Sequence, residues 1–291
     1  MRLGLLLCAW LLLLSGVGHA EPSKELVETF PSGAINWTKG ILVAKGSYTP
    51  ERSATSDGLN PSQSIEQAQH QAALNALRTL KEVRLDACRN VAQLMAVDEQ
   101  VSARVREMAG TARVVEIHPQ SDGSVRVAVQ IALLGGFAQL VLPGEIKQVE
   151  PIKQVSPSPD GKPPEGELPP LYALSGDVEG YSGLIVDARG MGAKPAMVPL
   201  LVDENGKEVY GSAFISREYA VQHGVCEYGR SLEDSARQAR VAPKPLAIKG
   251  LRTVQERNCN IVISNADAAK LRDASANLGF LKQCRVIIVL D

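Results

Sequence analysis

Residues 121–133 read Ser121-Asp122-Gly123-Ser124-Val125-Arg126-Val127-Ala128-Val129-Gln130-Ile131-Ala132-Leu133. An Asp-Gly step is a strong hairpin signal, because a tight turn needs a residue that tolerates positive φ. After it, Val125, Val127, Val129, Ile131 and Leu133 alternate with Ser124, Arg126, Ala128, Gln130 and Ala132. Successive strand side chains point to opposite faces, so this pattern predicts an antiparallel strand with one face on a core and the other toward water. Working outward, Ile65, Ala68, Ala72, Ala76, Leu77 and Leu80 fall at spacings of three and four. They predict a helix from about Ser64 to Leu80, whose small alanines let it sit close against a sheet. Ile35 to Ser47 reads as a strand bounded by Gly40 and Gly46, and Thr49 to Ser62 as a polar loop. Val83, Leu85 and Val91 suggest a further extended piece. Asp98 is placed to cap a second helix carrying Val101, Val105 and Met108 and ending at Gly110. The order expected for this half is β-α-β-α-β-β, an α+β domain with one main helix on a curved sheet.

The rest of the chain is patterned differently. Leu184-Ile185-Val186, Ile261-Val262-Ile263 and Val286-Ile287-Ile288-Val289-Leu290 are continuous apolar runs, as in strands buried on both faces. Ser264 and Asp267 form a variant capping box for a helix from Ala266 to Leu278, with Leu271, Ala274 and Leu278 as its buried stripe. Strand, helix and strand together predict a βαβ unit. Asn205-Gly206 marks a hairpin between Leu200-Leu201-Val202 and Val209-Tyr210, and a helix is expected over Ser216 to His223. The fold class is therefore α/β, with an α/β C-terminal domain built on a mixed sheet.

Between Pro143 and Pro170 lie eight prolines and almost no apolar periodicity. Proline lacks the amide proton that helices and inner strands use, so 143–170 reads as a semi-rigid linker between domains at 21–142 and 171–291. Residues 1–20 read as a secretory signal: Arg2, an apolar run from Leu5 to Leu14, then Gly18-His19-Ala20 as a cleavage site. That run is shorter than the roughly 20 residues a membrane span needs. The expected product starts at Glu21, has no transmembrane segment, and is periplasmic or outer-membrane-associated. The 291 residues carry 31 basic and 32 acidic side chains, a balance that argues against a global grip on nucleic acid. Aromatic residues are only 4%, so the cores must be aliphatic.

Glu66-Gln67-Ala68-Gln69-His70-Gln71-Ala72-Ala73-Leu74-Asn75-Ala76-Leu77 is an alanine-rich helix pattern. With Val83-Arg84-Leu85-Asp86, Gly110-Thr111-Ala112-Arg113-Val114-Val115 and the Asp122-Gly123 turn, it resembles the twenty-kilodalton lipoprotein family and the N-terminal domain of flagellar assembly protein T. The resemblance covers roughly Ile35 to Leu134. It implies an envelope location, a small domain with one principal helix, and no enzymatic activity. The lipidated N-terminal cysteine of those lipoproteins has no counterpart here. The C-terminal half, with Gly183-Leu184-Ile185-Val186-Asp187-Ala188-Arg189-Gly190, looks like a segment accompanying such domains in exported proteins of unknown function.

Candidate chemistry is sparse. His70, His118 and His223 lack a neighbouring nucleophile-base motif, so no catalytic residue and no cofactor is assigned. His223, Cys226, Cys259 and Cys284 together have the residue types of a zinc site but not the paired short spacing of a knuckle, so no metal is assigned. Asp187-Ala188-Arg189-Gly190-Met191-Gly192-Ala193-Lys194 follows a buried strand. Its glycines and cations suit an anion such as a phosphate or a cell-wall carboxylate, with Asp187, Arg189 and Lys194 as candidate binding residues. Asp203-Glu204-Asn205-Gly206 reads as a hairpin turn, lacking the later ligands of a calcium loop. Export favours disulfides. Cys259 and Cys284 each begin a buried strand of the expected βαβ unit, which puts both at one end of the sheet and predicts a bond between them. Cys226 is the alternative partner for either, and Cys88 is expected to stay a free thiol. The functional expectation is an exported, non-enzymatic envelope protein, a binding or assembly module whose partners are envelope or surface-structure proteins, motility machinery included, with self-association left open. The rival is a protein or enzyme acting on cell-wall fragments through the Asp187 to Lys194 loop.

Overall fold

The computed structural model describes residues 25–50, 61–146, 180–254, 258–273 and 275–291, the side chains of 273–278 excepted. The export segment at 1–20, most of the loop from Thr49 to Ser62 and most of the proline-rich stretch after Pro143 lie outside the described residues.

Strands β1 (Val27–Phe30), β2 (Gly33–Asn36) and β3 (Ile41–Tyr48) open the N-terminal unit. The single strand expected over Ile35 to Ser47 is instead two. The chain turns through Trp37 to Gly40, where Gly40 takes φ +62, and β2 pairs antiparallel with β3. Helix α1 (Pro61–Lys81) then crosses the sheet. Ala68, Ala72, Ala76 and Leu80 are fully buried, on the face that the periodicity predicts. The alanines matter because strand and helix nearly touch: a Cβ on Gly46 of β3 would stand 2.2 Å from Ala72 N and 2.3 Å from Ala68 O.

Past α1 the backbone makes an isolated bridge between Arg84 and Asn90 rather than a strand. Helix α2 (Val91–Val97) follows, held by a capping box in which Asn90 and Gln93 exchange side-chain bonds with backbone amides. Asp98 closes α2 and caps α3 (Glu99–Gly110), its carboxylate accepting from Val101 N at 3.0 Å. Strands β4 (Arg113–Pro119) and β5 (Val125–Ala132) form the hairpin expected at Asp122-Gly123, with Gly123 at φ +82. Helix α4 (Gly136–Val141) ends the unit. The sheet order is β1-β2-β3-β5-β4, antiparallel throughout, and β4 is an edge.

The C-terminal unit contains β6 (Gly183–Asp187), β7 (Leu200–Val202), β8 (Glu208–Tyr210), α5 (Arg217–His223), β9 (Glu227–Gly229), α6 (Leu232–Ala236), β10 (Pro245–Thr253), β11 (Asn260–Ile263), α7 (Asn265–Asp273), α8 (Ser275–Lys282) and β12 (Val286–Val289). Its seven strands run in the order β8-β7-β11-β10-β6-β12-β9 and form a mixed sheet. The protein is thus mixed α/β with two sheets. Asn205-Gly206 makes the expected hairpin, and Ser264 Oγ accepts from Asp267 N at 3.0 Å.

The βαβ unit does not form. Strand β11 is antiparallel to β10, β10 is parallel to β6, and β6 is parallel to β12. Two strands therefore separate β11 from β12, and the pair runs in opposite directions. Cys259, before β11, and Cys284, before β12, sit at opposite ends of the sheet. Both are free thiols, so the disulfide expected between them is not made.

One hydrophobic cluster runs through both units, from Leu42, Leu80 and Phe137 to Leu184, Tyr210 and Ile263. Between the units, Met197 N donates to Arg84 O (2.9 Å), Val198 N to Leu85 O (2.7 Å) and Gly135 N to Val221 O (2.8 Å). Two sequence units are present, but they are packed and hydrogen-bonded rather than merely tethered.

Candidate functional site at the seam and along the sheet edge

The loop singled out for anion binding splits in two. Strand β6 ends at Asp187, and Arg189 folds straight back onto it, Nε donating to Oδ1 at 2.8 Å and Nη2 to Oδ2 at 2.9 Å. This pair holds the Asp187 carboxyl below its ordinary range, the hydrogen bond from Arg189 being the main cause. Gly190 and Gly192 both take positive φ, and Gly190 N donates to Asp291 Oδ2 at 2.8 Å. Two of the three expected ligand-binding residues therefore neutralise each other. A depressed folded-state pKa means that the stabilisation is fully present above the unfolded carboxylate pKa and is lost as pH falls through the folded value. Asp187→Asn should therefore lower stability at neutral pH and converge with the parent protein toward pH 3, which flattens the acid limb of the stability-pH curve, as read from urea midpoints between pH 3 and 7. An unchanged acid limb would mean that the pair contributes nothing.

Lys194 goes elsewhere. Its amide donates to Asn258 O at 2.8 Å, and its side chain lines a cavity of about 280 Å³ where the two units meet. Arg84, Arg89, Cys88 and Cys259 line the same cavity. Arg84 is the centre of the seam. Its guanidinium grips Glu28 through both oxygens, donates from Nε to Pro195 O at 2.7 Å and lies 5.6 Å from the Trp37 ring centroid. Trp37 in turn meets Tyr228 edge-on, with centroids 6.0 Å apart. Thr38 Oγ1 donates to Tyr228 O at 2.7 Å, and the Tyr228 hydroxyl exchanges hydrogen bonds with Ala196 O and N. Arg89 is bound to Asp86 through Nε and Nη2 at 3.0 and 2.9 Å. The cavity thus holds three cations, two of them ion-paired.

The histidines do not converge. His70 is exposed on α1, and His118 pairs with Glu116 on β4 at 2.5 Å. His223 ends α5 beside Tyr219. Gly224, at φ +79, terminates that helix, so His223 and Cys226 do not share a helical face. No group of three or more His, Cys, Asp or Glu able to hold a metal is found among the described residues. Among them, too, no helix is long and apolar enough to cross a membrane.

The second surface feature is β4. Among the described residues it pairs with β5 on one side only; its register shifts between Val114 and Glu116, and Val115 (41% exposed) and Ile117 (44%) lie at the surface. Sequence reading saw this strand only as the first arm of a hairpin. Its edge position depends on which strand flanks β5 on the other side, and that is β3, some 80 residues upstream. The seam residues were legible only in part. Trp37 is one of two tryptophans in the chain, a rarity that marks it, whereas nothing local to Arg84 or Tyr228 announces a partner in the other unit.

Fold and surface together define a two-unit α/β protein with a hydrogen-bonded seam and, among the described residues, an open sheet edge. The family described as Treponema pallidum Tp0624, second domain, matches residues 183–291, starting at the first residue of β6. The match supports a two-domain organisation and is to a domain, not to a whole protein. No curated protein matches the chain. The comparisons give no support to the resemblance of Ile35 to Leu134 to the lipoprotein family or to flagellar assembly protein T.

Proposed function

We propose that the protein is a non-enzymatic binding or assembly module of the cell envelope, and that it takes an extended segment of a partner protein along the free edge of β4. The observation that carries this is the edge itself. An unpaired edge presents a row of backbone donors and acceptors, and strand addition uses them for affinity and the alternate side chains for specificity. Val115 and Ile117 supply apolar contact on that edge, and Glu116 and His118 beside them supply polar groups. Export is inferred from residues 1–20, and the envelope is where a partner would be met. The rival reading, a cell-wall fragment held by Asp187, Arg189 and Lys194, has less in its favour because Asp187 and Arg189 satisfy each other.

The test is a photo-crosslinking residue placed at Val115 or Ile117 in intact cells, with His70 on the exposed side of α1 as the control site. A discrete crosslinked species from either β4 site is expected, the one from position 115 being abolished by Ile117→Lys. Equal labelling from β4 and from position 70, or none from β4, would overturn the reading.

A further inference from the structure

The cavity at the seam has its acceptors engaged and its donors left over. Asp86 is the one carboxylate among the described residues in its wall. Its Oδ1 accepts from Cys88 N at 2.7 Å and Arg89 N at 2.9 Å, and its Oδ2 from Arg89 Nε at 3.0 Å and Nη2 at 2.9 Å. Two carboxylate oxygens offer about four lone-pair sites, so none remains for a ligand. The amide oxygens of Asn90 and Gln93 are engaged too: Asn90 Oδ1 accepts from Gln93 N at 3.0 Å, and Gln93 Oε1 from Asn90 N at 2.9 Å.

The donors are a different matter. The capping box uses neither side-chain NH2 group of Asn90 and Gln93. Arg89 commits Nε and Nη2 to Asp86 and keeps Nη1. Lys194 is bonded through its backbone amide, to Asn258 O at 2.8 Å, and its ammonium has no partner among the described residues. Each arginine has a carboxylate of its own, Glu28 for Arg84 and Asp86 for Arg89, whereas Lys194 has none. Glu145 lies near enough to Arg89 to help raise its pKa, but it does not line the cavity. Burial pushes the Cys259 thiol up, so that part of the wall adds no negative charge at neutral pH. Surplus donors and one uncompensated cation are matched by a group that only accepts.

We infer that the seam cavity binds a phosphate group, carried by free phosphate or by a small phosphate ester. The donors come from the Arg89 to Gln93 stretch of the first unit and from Lys194 and Asn258 of the second. A tetrahedral oxyanion directs oxygens several ways and can take donors from both sides, whereas a planar carboxylate presents two oxygens to one side. The volume of about 280 Å³ lies at the low end of small-molecule sites, which run from about 300 to 1,000 Å³. It leaves room for the phosphate and a short substituent. Because the bound group touches both units, binding stabilises the folded chain and can be read as stability.

The full chain is melted in rising concentrations of inorganic phosphate, glycerol 3-phosphate or acetate, with chloride holding ionic strength constant. A saturable rise in midpoint is expected with either phosphate source and not with acetate. Cys88, exposed in the cavity wall, gives a second readout: its alkylation by iodoacetamide should slow as phosphate fills the cavity. Lys194→Gln should weaken phosphate binding about tenfold or more. It should leave the ligand-free midpoint where it is, because that side chain is exposed. Lys282→Gln, at the exposed end of α8, should change neither quantity. Tighter binding of glycerol 3-phosphate supports the site and identifies an ester as its ligand; tighter binding of inorganic phosphate supports it and identifies the free ion. An equal rise with acetate, no saturable rise, or phosphate binding by Lys194→Gln at the parent affinity overturns the proposal. The cavity is separate from β4, so the outcome does not depend on strand addition there.

Discussion

Gly46→Ala is expected to lower stability by about 3 kcal/mol or more, and to do so through backbone. The new Cβ would stand 2.2 Å from Ala72 N and 2.3 Å from Ala68 O, and neither atom belongs to a side chain that can turn away. Helix α1 would have to lift from β3 along its alanine stripe. Overpacking of a tight contact costs typically about 1–3 kcal/mol, and values beyond that occur where the structure cannot relax. Urea unfolding measures it. Gly110→Ala is the control: it has open space at the Cβ position and should shift stability by less than about 1 kcal/mol. Equal behaviour of the two variants would mean that the helix does not sit where the structure places it.

Trp37→Ala should have an effect of similar size for a different reason. Trp37 is only 6% exposed and joins the units, with Tyr228 at its edge, the Arg84 cation near its face and its Nε1 donating to Glu28 Oε2 at 3.1 Å. Truncating a buried tryptophan costs about 3–5 kcal/mol. The seam makes a further outcome measurable. A protease site engineered between residues 147 and 179 should give two fragments that co-elute on size exclusion and unfold in one transition. The same cut in Trp37→Ala should let them separate. Separation in the unmutated protein would show that the seam hydrogen bonds from Met197, Val198 and Gly135 contribute little.

Several elements follow from residues near one another in the chain. The alanine positions of α1, the Asp98 cap, the turns at Asp122-Gly123 and Asn205-Gly206 and the Ser264 cap all rest on local hydrogen bonds or on periodicity. A capping box at Asn90 and Gln93 was equally legible, and it marks α2 where an extended piece is expected. Continuous apolar runs identify β6, β11 and β12 as buried strands but carry no information about their neighbours. The βαβ expectation, and the Cys259–Cys284 bond built on it, fail at that point. β10, which intervenes together with β6, alternates buried and exposed residues and has no such run.

By itself, then, the sequence determined the α/β class, the antiparallel character of the first sheet, the positions of its main helices and turns, and the change in patterning between the halves. These depend on propensity, periodicity and caps, which act over a few residues. Strand order, the convergence of Trp37, Arg84 and Tyr228, the exposure of β4 and the separation of Cys259 from Cys284 were decided only by the tertiary structure. Each depends on which distant segments share a sheet or a seam, and that is settled by burying the most apolar surface while pairing every buried backbone group, a condition on the whole chain that no short stretch contains.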